Sequence, residues 1–342
     1  MTTPHDEQVL VPGQLTGSGR YNLLWMLGKG GSCMVWLAQD ERLNAVVALK
    51  FLLPETSADP QLLKELRIEA MRSRPLAHPN IVQLYDLYEA PDERPFLIME
   101  HVDGSSLHTL RMQQPNQILT WEFLKPVALQ ICQALDYAHS EGLVHRDLKP
   151  ANLMIDRRGR LKLADFGISS AINDARARLF DIRDFRGTAT FMSPQQMDGE
   201  PPQVTDDIYA FGATLYELLA SRPPFFAGNI EEQVRTLHPQ SIQAALQELG
   251  KHNHVPPYVG SLIQACLRKD PSERPQSVQE LMTNIGGLTS VPDSTTSGTR
   301  RNATGRNETG NRFTREFVIV MGCLLILLLL AVITLIQLNR YK

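Results

Sequence analysis

The stretch His145-Arg146-Asp147-Leu148-Lys149-Pro150-Ala151-Asn152 decides how the rest of the chain is interpreted, together with Asp165-Phe166-Gly167 downstream. Its carboxylate, ammonium and amide are spaced so that they can converge on one phosphoryl group. Asp165, 18 residues after Asp147, adds a second carboxylate. Carboxylate and amide oxygens suit a hard divalent cation. The pattern therefore predicts phosphoryl-transfer chemistry.

These stretches resemble the catalytic and metal-binding loops of the eukaryotic-type protein kinases, in the Ser/Thr form because Lys149 lies two residues after Asp147. The resemblance covers residues 20–285 and implies a bilobal α+β fold. Its N-terminal lobe, about residues 20–100, is expected to be a small antiparallel β-sheet with one main helix. Its C-terminal lobe, about residues 104–285, is expected to be mostly α-helical. The sequence details resemble the bacterial, membrane-anchored members.

Composition limits the other function classes. The chain has 342 residues, 43% of them hydrophobic, which is normal for a chain that buries a core. A net charge of -3 gives no indication of nucleic acid as a partner. The four scattered cysteines argue against a disulfide framework or a zinc site. Residues 1–19 carry no secretory signal and no periodic apolar pattern, so we expect a flexible N-terminal tail.

Three predicted strands, Tyr21–Leu27, Met34–Ala38 and Ala45–Phe51, surround a glycine-rich hairpin. The missing side chains would let backbone amides approach phosphates, although such a hairpin is more often only a turn. Lys50, 22 residues after Gly28, favours a phosphate site. The resemblance implies that nucleotide contacts come from Leu27, Gly28, Lys29, Gly30, Gly31, Ser32, Cys33, Val35, Ala48 and Lys50.

A helix is predicted over Gln61–Ser73, and the resemblance implies that one of its carboxylates pairs with Lys50. Glu69 and Glu65 both compete for this role. Glu69 is preferred because it lies 19 residues after Lys50 and at the family's separation from His78. A helical face alone does not choose between them.

The buried run Phe96–Glu100 leads into a glycine-containing connection that resembles the hinge between kinase lobes. On that resemblance, the Met99 side chain lies behind the adenine pocket. The backbones of Glu100 and Val102 would make the hydrogen bonds to the purine edge. Met99 could equally be a plain core residue, and the two roles are compatible.

The resemblance also assigns the chemistry. Asp147 is the expected catalytic base, and Lys149, Lys50, Glu69 and Thr188 complete the catalytic set. Asn152 and Asp165 are expected to hold Mg²⁺, or Mn²⁺, with ATP and protein Ser/Thr hydroxyls as substrates. Asp207, at the start of an apolar helix, resembles the residue that supports the catalytic-loop backbone.

Two positions depart from the family pattern. Cys33 replaces the third glycine of the nucleotide loop, and Gln195 replaces the glutamate that pairs with an arginine, here Arg274. We expect a neutral hydrogen bond between Gln195 and Arg274 and a softer activation segment. The alternative function is a membrane-tethered pseudokinase scaffold, whose mark would be a missing Lys50, Asp147 or Asp165. A small-molecule phosphotransferase fits Lys149 and Gly187-Thr188 less well.

The C-terminal region changes character twice. Residues 286–316 are rich in Arg, Ser, Thr and Gly and predict a disordered linker. Residues 317–338 are almost wholly apolar and would span about 33 Å as a helix, enough to cross a bilayer. Five arginines precede this segment, which predicts a single-pass cell-membrane protein with a cytoplasmic kinase domain and a short non-cytoplasmic tail at 339–342. A homodimer is an open alternative.

Overall fold

The computed structural model describes residues 9–30, 33–53, 60–166 and 189–286. Its first part is a six-stranded antiparallel sheet in the order β1-β2-β3-β4-β6-β5. The strands are β1 Leu15–Thr16, β2 Tyr21–Lys29, β3 Cys33–Asp40, β4 Ala45–Leu52, β5 Leu84–Ala90 and β6 Glu93–Glu100. Helix α1, Pro60–Ser73, lies between β4 and β5 in the chain and packs on β5.

The second part is mostly helical. A three-stranded sheet comprises β7 Gly104–Ser106, β8 Leu153–Asp156 and β9 Leu161–Leu163. The helices are α2 Leu107–Met112, α3 Trp121–Ser140, α4 Pro194–Met197, α5 Val204–Ala220, α6 Ile230–Thr236, α7 Ile242–Glu248, α8 Pro257–Cys266 and α9 Val278–Gly286. The predicted bilobal α+β fold is therefore confirmed for the described residues.

Helix α5 forms the centre of the C-terminal lobe, because almost every one of its side chains is buried. Its neighbours α3 and α8 pack against it. At Gly212, an added Cβ would lie 2.6 Å from the Cβ of Cys266, so glycine permits the close approach of α5 and α8. The burial extends to Asp206 and Asp207 in the first turn, which places two carboxylates inside the lobe.

The N-terminal sheet buries both faces, and each face has its own partner. Ala48, Leu52, Leu97 and Met99 pack with Leu66 and Ala70 of α1 on the inner face. On the outer face, aromatic residues dominate: Phe96 contacts the rings of Tyr21, Phe51 and Tyr88. Leu10, upstream of the sheet, packs against this outer cluster.

Residues 9–19 form a strap, the N-terminal strap, that is bonded to the sheet. The prediction of a flexible tail over residues 1–19 is therefore wrong for residues 9–19. Within the strap, β1 pairs with β2. The Glu93 carboxylate accepts hydrogen bonds from the amides of Gly17 and Ser18, at 2.6 and 2.8 Å, and from the Thr16 hydroxyl. The apolar contact of Leu10 and these charge-assisted bonds fix a segment whose own sequence lacks periodicity. Residues 1–8 lie outside the described ranges.

The other predicted elements of the sequence are found with small changes of boundary. β2, β3 and β4 each extend the predicted strands by one to three residues, and α1 begins one residue earlier than expected. Across 9–30, 33–53, 60–166 and 189–286, no helix is long and apolar enough to cross a membrane. The predicted linker 286–316, apart from Gly286, the predicted span 317–338 and the tail 339–342 lie outside these ranges.

Candidate active site

The catalytic loop between α3 and β8 brings its three polar side chains together. The Lys149 ammonium lies 2.8 and 2.9 Å from the two carboxylate oxygens of Asp147. The Asn152 amide donates to the Asp147 carbonyl at 2.8 Å and to its carboxylate at 3.0 Å. Asp147 and Asn152 are buried, so these bonds act in a medium less polar than water. The predicted convergence of carboxylate, ammonium and amide is present.

His145 joins this loop to the segment that carries Asp165. Its Nδ1 accepts from the Asp147 amide at 3.2 Å, and its Nε2 lies 2.9 Å from the Ala164 carbonyl. A ring that accepts at Nδ1 must donate at Nε2, which fits the neutral tautomer. The ring also packs edge-to-face on Phe166 at 4.5 Å. The imidazole therefore holds the two carboxylate-bearing loops at a fixed separation.

Asp207 supports the backbone of the catalytic loop through hydrogen bonds, as the family resemblance predicts. Its carboxylate accepts from the amides of His145 and Arg146, at 2.8 and 2.9 Å, and lies 2.7 Å from His139 Nε2. Burial would raise the pKa of Asp207, but the bond to His139 lowers the pKa below its ordinary value. Arg146 has a positive φ of 67°. This conformation is unfavourable for arginine and needs such external support.

Lys50 and Asp165 form the ion pair at the other side of the site, 2.7 Å apart. The Lys50 side chain is 2% exposed and that of Asp165 is 21% exposed. Burial alone would lower the pKa of Lys50 and raise that of Asp165, but their mutual attraction moves both pKa values the opposite way. Both groups are therefore charged at neutral pH, as phosphate and metal binding require.

Glu69 does not pair with Lys50 in this structure, and this prediction is corrected. Its carboxylate lies 3.2 Å from Arg72, one turn further along α1. The same helix still contacts the Asp165 segment, because the Ser73 hydroxyl donates to the Phe166 carbonyl at 3.2 Å. Glu69 thus lies on the correct face but forms a local i, i+3 pair. The side chain of Glu65, the other candidate, lies outside the described residues.

The strand register assembles the predicted nucleotide-facing side chains in two rows. Gly28 lies opposite Val35, and Val35 opposite Lys50, across β2, β3 and β4. Ala48 lies opposite Met99 across β4 and β6. Directly opposed residues share a face of a sheet, and so do residues two apart in a strand. Val35, Ala48, Lys50 and Met99 therefore line the inner face together.

The hinge residues lie where the inner face ends. Met99 is 9% exposed, which agrees with a side chain behind a pocket and with plain core packing. The Glu100 amide donates to the Gln83 carbonyl, and the Glu100 carboxylate pairs with Lys162 at 2.8 Å. The Val102 amide has no hydrogen-bond partner in the part of the chain that the structure describes. It can donate to a ligand edge.

The glycine-rich hairpin leaves open space beside its backbone. A Cβ added at Gly28 would meet no atom within 4 Å, and one at Gly30 would meet only the Cys33 carbonyl at 3.8 Å. Leu27 is exposed, and Lys29 lies opposite Met34. The fold itself does not require glycine here, so the open space is available to a ligand. Gly31, Ser32 and the predicted catalytic Thr188 lie outside the described residues.

Asn152 and Asp165 have the chemistry that a magnesium ion needs. The Asn152 Nδ2 group is occupied by Asp147, which leaves the amide Oδ1 as the free ligand atom. Asp165 keeps part of its carboxylate exposed. Among the described residues, no cluster of three or more His, Cys, Asp or Glu side chains could hold a metal. Two protein oxygens plus substrate phosphates suit Mg²⁺, which rarely uses an all-protein cage.

Gln195 forms the predicted neutral hydrogen bond with Arg274. The Arg274 guanidinium donates to Gln195 Oε1 at 2.6 Å and to the carbonyls of Thr205, Arg268 and Lys269. Arg274 is 3% exposed. Burial lowers its pKa, because none of these four acceptors is a carboxylate.

Sequence reasoning missed three polar residues that support the site, namely Ser193, Gln196 and Asp206. Gln196 donates to the Arg146 carbonyl at 2.7 Å, 50 positions away in the chain. Ser193 donates to the buried Asp206 carboxylate at 2.6 Å. Only the Ser-Pro pair at the start of α4 hinted at the Ser193 cap, since Pro favours the first helical position.

The chain matches the family model described as "Protein kinase domain" over residues 21–284. A probable serine/threonine-protein kinase of Streptomyces coelicolor is 37% identical over 270 residues, which cover 78% of this chain and 39% of the relative. The serine/threonine-protein kinase PknB of Mycobacterium tuberculosis is 34% identical over 275 residues, covering 78% and 42%. The chain thus spans about two fifths of the length of these relatives.

Among solved structures, the PknI kinase domain of Mycobacterium tuberculosis superposes with a TM-score of 0.64 at 25% identity. The superposition covers 82% of this chain and 100% of that domain. These matches agree with the bilobal fold and with the resemblance to bacterial Ser/Thr kinases.

Proposed function

Because the chain belongs to the protein kinase family, we propose that it is an ATP-dependent serine/threonine kinase that phosphorylates protein hydroxyl groups. The observation that carries this proposal is the contact of Asp147 with Lys149 and Asn152, next to the Lys50–Asp165 pair. A scaffold without catalysis would not need these charges. Every charged group that phosphoryl transfer uses is retained.

In this proposal, each residue has a distinct role. Asp147 accepts a hydrogen bond from the substrate hydroxyl and orients its oxygen in line with the γ-phosphorus. Lys149 neutralises charge on the phosphoryl group during transfer. Asn152 and Asp165 would hold Mg²⁺, which supplies positive charge to the phosphates when it is bound. Thr188 would contact the catalytic loop.

The N-terminal lobe would bind the nucleotide. Lys50 would contact the α- and β-phosphates, and the backbone of Gly28 and Gly30 would cover them. The purine would lie between Ala48 and the hinge, with the Val102 amide as donor and the Glu100 carbonyl as acceptor. Glu69 would have to leave Arg72 to reach Lys50.

The decisive experiment measures phosphate transfer from radiolabelled ATP to a basic protein in the presence of Mg²⁺. We expect label on Ser or Thr for the wild type and a loss of at least 1000-fold for Asp147→Asn, with an unchanged melting temperature. Equal labelling by both proteins would contradict the role of Asp147. ATP binding without transfer by the wild type would favour the pseudokinase scaffold.

We further propose that residues 317–338 anchor the protein in the cell membrane with the kinase domain in the cytoplasm. The support is the almost uninterrupted apolar sequence and the arginines that precede it. The full-length chain should remain in the membrane fraction after washes with high salt and with alkaline carbonate. Release by either wash would contradict a spanning helix.

A further inference from the structure

Two neighbouring glutamines of α4 make contacts with different parts of the C-terminal lobe. Gln195 accepts from Arg274 and donates to the Lys269 carbonyl at 3.0 Å, and both partners belong to the segment between α8 and α9. Gln196 instead donates to the carbonyl of Arg146 in the catalytic loop, at 2.7 Å. Both side chains are half-buried. Gln195 and Gln196 therefore share residue type and burial, and they differ in their hydrogen-bond partners.

The partner of Gln196 is the peptide that precedes the catalytic base. Arg146 holds its positive φ of 67° with its amide bonded to Asp207 and its carbonyl bonded to Gln196. The Arg146 carbonyl belongs to the peptide bond that carries the Asp147 amide. Rotation of this peptide would move the Asp147 backbone and the bond from its amide to His145. Gln196 thus restrains the orientation of Asp147 through the peptide bond that joins Arg146 to Asp147.

Gln196 is itself fixed to the helix that supports the other side of Arg146. The backbone amide of Gln196 donates to the Ser193 hydroxyl at 3.0 Å. The same hydroxyl donates to the Asp206 carboxylate at 2.6 Å. Asp206 and Asp207 are adjacent in α5 and fully or nearly fully buried. These hydrogen bonds form a closed ring of contacts. It runs from Asp206 of α5 through Ser193 and Gln196 to Arg146, and the Arg146 amide returns to Asp207 of α5. A closed ring of this kind restrains geometry better than its separate members.

We propose that Gln196 is a positioning residue for phosphoryl transfer, which couples the placement of α4 to the geometry of Asp147. The inference rests on the kinase function proposed above. α4 follows directly after residues 189–193, which end the activation segment. The position of α4 therefore depends on the placement of these residues. When α4 moves away, the Arg146 peptide loses its restraint and transfer slows, although ATP can still bind.

The test compares matched substitutions in the full-length chain. Gln196→Met keeps the side-chain volume but removes the donor, and we expect the single-turnover transfer rate to fall about five- to tenfold. The Kd for ATP should stay within about twofold, because the nucleotide-facing residues are untouched. Gln196→Glu should be slower still, because its carboxylate faces the Arg146 carbonyl without a proton to donate.

Gln195→Met is the matched control. It removes the bonds to Arg274 and Lys269 but keeps the Ser193–Asp206 and Gln196–Arg146 bonds that hold α4 at the catalytic loop, so it should lower the melting temperature while leaving the transfer rate within about twofold of wild type. A normal rate in Gln196→Met would overturn the proposal, and so would equal losses of rate in both Met variants. Absence of transfer in the wild type would instead overturn the kinase function, which keeps the two failures distinguishable.

Discussion

The two sides of the catalytic cleft differ in how completely they are assembled. On the C-terminal side, Asp147 is fixed by Lys149, Asn152 and His145, and the backbone beneath it is fixed by Asp207. On the N-terminal side, Lys50 is paired with Asp165, while Glu69 remains with Arg72. The comparison teaches that Asp147, Lys149 and Asn152 are held by the fold itself, whereas Glu69 on the N-terminal side is held only by a local pair within α1.

The largest effects are expected at the ion pair that joins the two sides. Lys50→Met and Asp165→Asn should each abolish transfer, but they should differ in stability. Asp165→Asn removes the carboxylate that lies 2.7 Å from an ammonium with 2% exposure, so the free energy of unfolding should fall by about 3 kcal/mol. Lys50→Met leaves a carboxylate that can reach water and should cost less than about 1 kcal/mol. Urea titration followed by tryptophan fluorescence measures both, and equal losses would contradict the asymmetry.

The next test concerns Arg274, a buried charge on the C-terminal side whose side-chain acceptor is the neutral Gln195. Gln195→Glu supplies Arg274 with a carboxylate but loses the bond that Gln195 donates to the Lys269 carbonyl, so the charge-assisted bond should raise the free energy of unfolding by at most about 1 kcal/mol. The transfer rate should not fall, since none of the hydrogen bonds that Gln195 makes among the described residues reaches the catalytic loop. A lower melting temperature in the variant would show that the carboxylate finds no cation there.

Lys269 gives the same region a dependence on pH. Its ammonium donates to the Val234 carbonyl at 2.6 Å and lies 4.4 Å from the Phe225 ring. Burial and the neighbouring Arg274 lower its pKa to about 8. Between pH 8 and its unfolded value near 10.4, the unfolded chain binds the proton more tightly, so stability should rise with pH.

Lys269→Met should remove this rise, which we expect to be at most about 1 kcal/mol because the side chain is only partly buried. Denaturation of wild type and variant at pH 7.5 and 10 measures the difference. The same substitution at the exposed Lys64 is the control. An unchanged rise in Lys269→Met would assign it to other groups.

The smallest effect is expected at the Arg72–Glu69 pair on the N-terminal side of the cleft. Arg72→Ala frees Glu69 from its local pair and should tighten ATP binding about twofold, the effect expected of an exposed ion pair. Arg67→Ala is the matched control, because Arg67 lies on the same helix but pairs with Glu89. Calorimetric titration with ATP decides the question. A similar change in both variants would indicate a general effect of helix charge.

The sequence predicted most of the site because its residues are close in the chain or fixed by strand alternation. Asp147, Lys149 and Asn152 converge within one loop, and period-two alternation places Ala48 and Lys50 on one face. The state of Glu69 could not be predicted, because Arg72 lies one turn further along the same helix and offers a local partner. Gln196 has no local pattern, because its partner Arg146 is 50 residues away.

The N-terminal strap separates two boundaries that are easily taken for one. The family match begins at residue 21, but Glu93 still takes two backbone N–H bonds from Gly17 and Ser18, which lower its pKa despite burial. Proteolysis after Ser18 would leave every catalytic motif intact. It would nevertheless loosen the cover of a half-buried carboxylate and of the aromatic outer cluster. The smallest unit that folds well is therefore longer than the smallest unit that carries the chemistry.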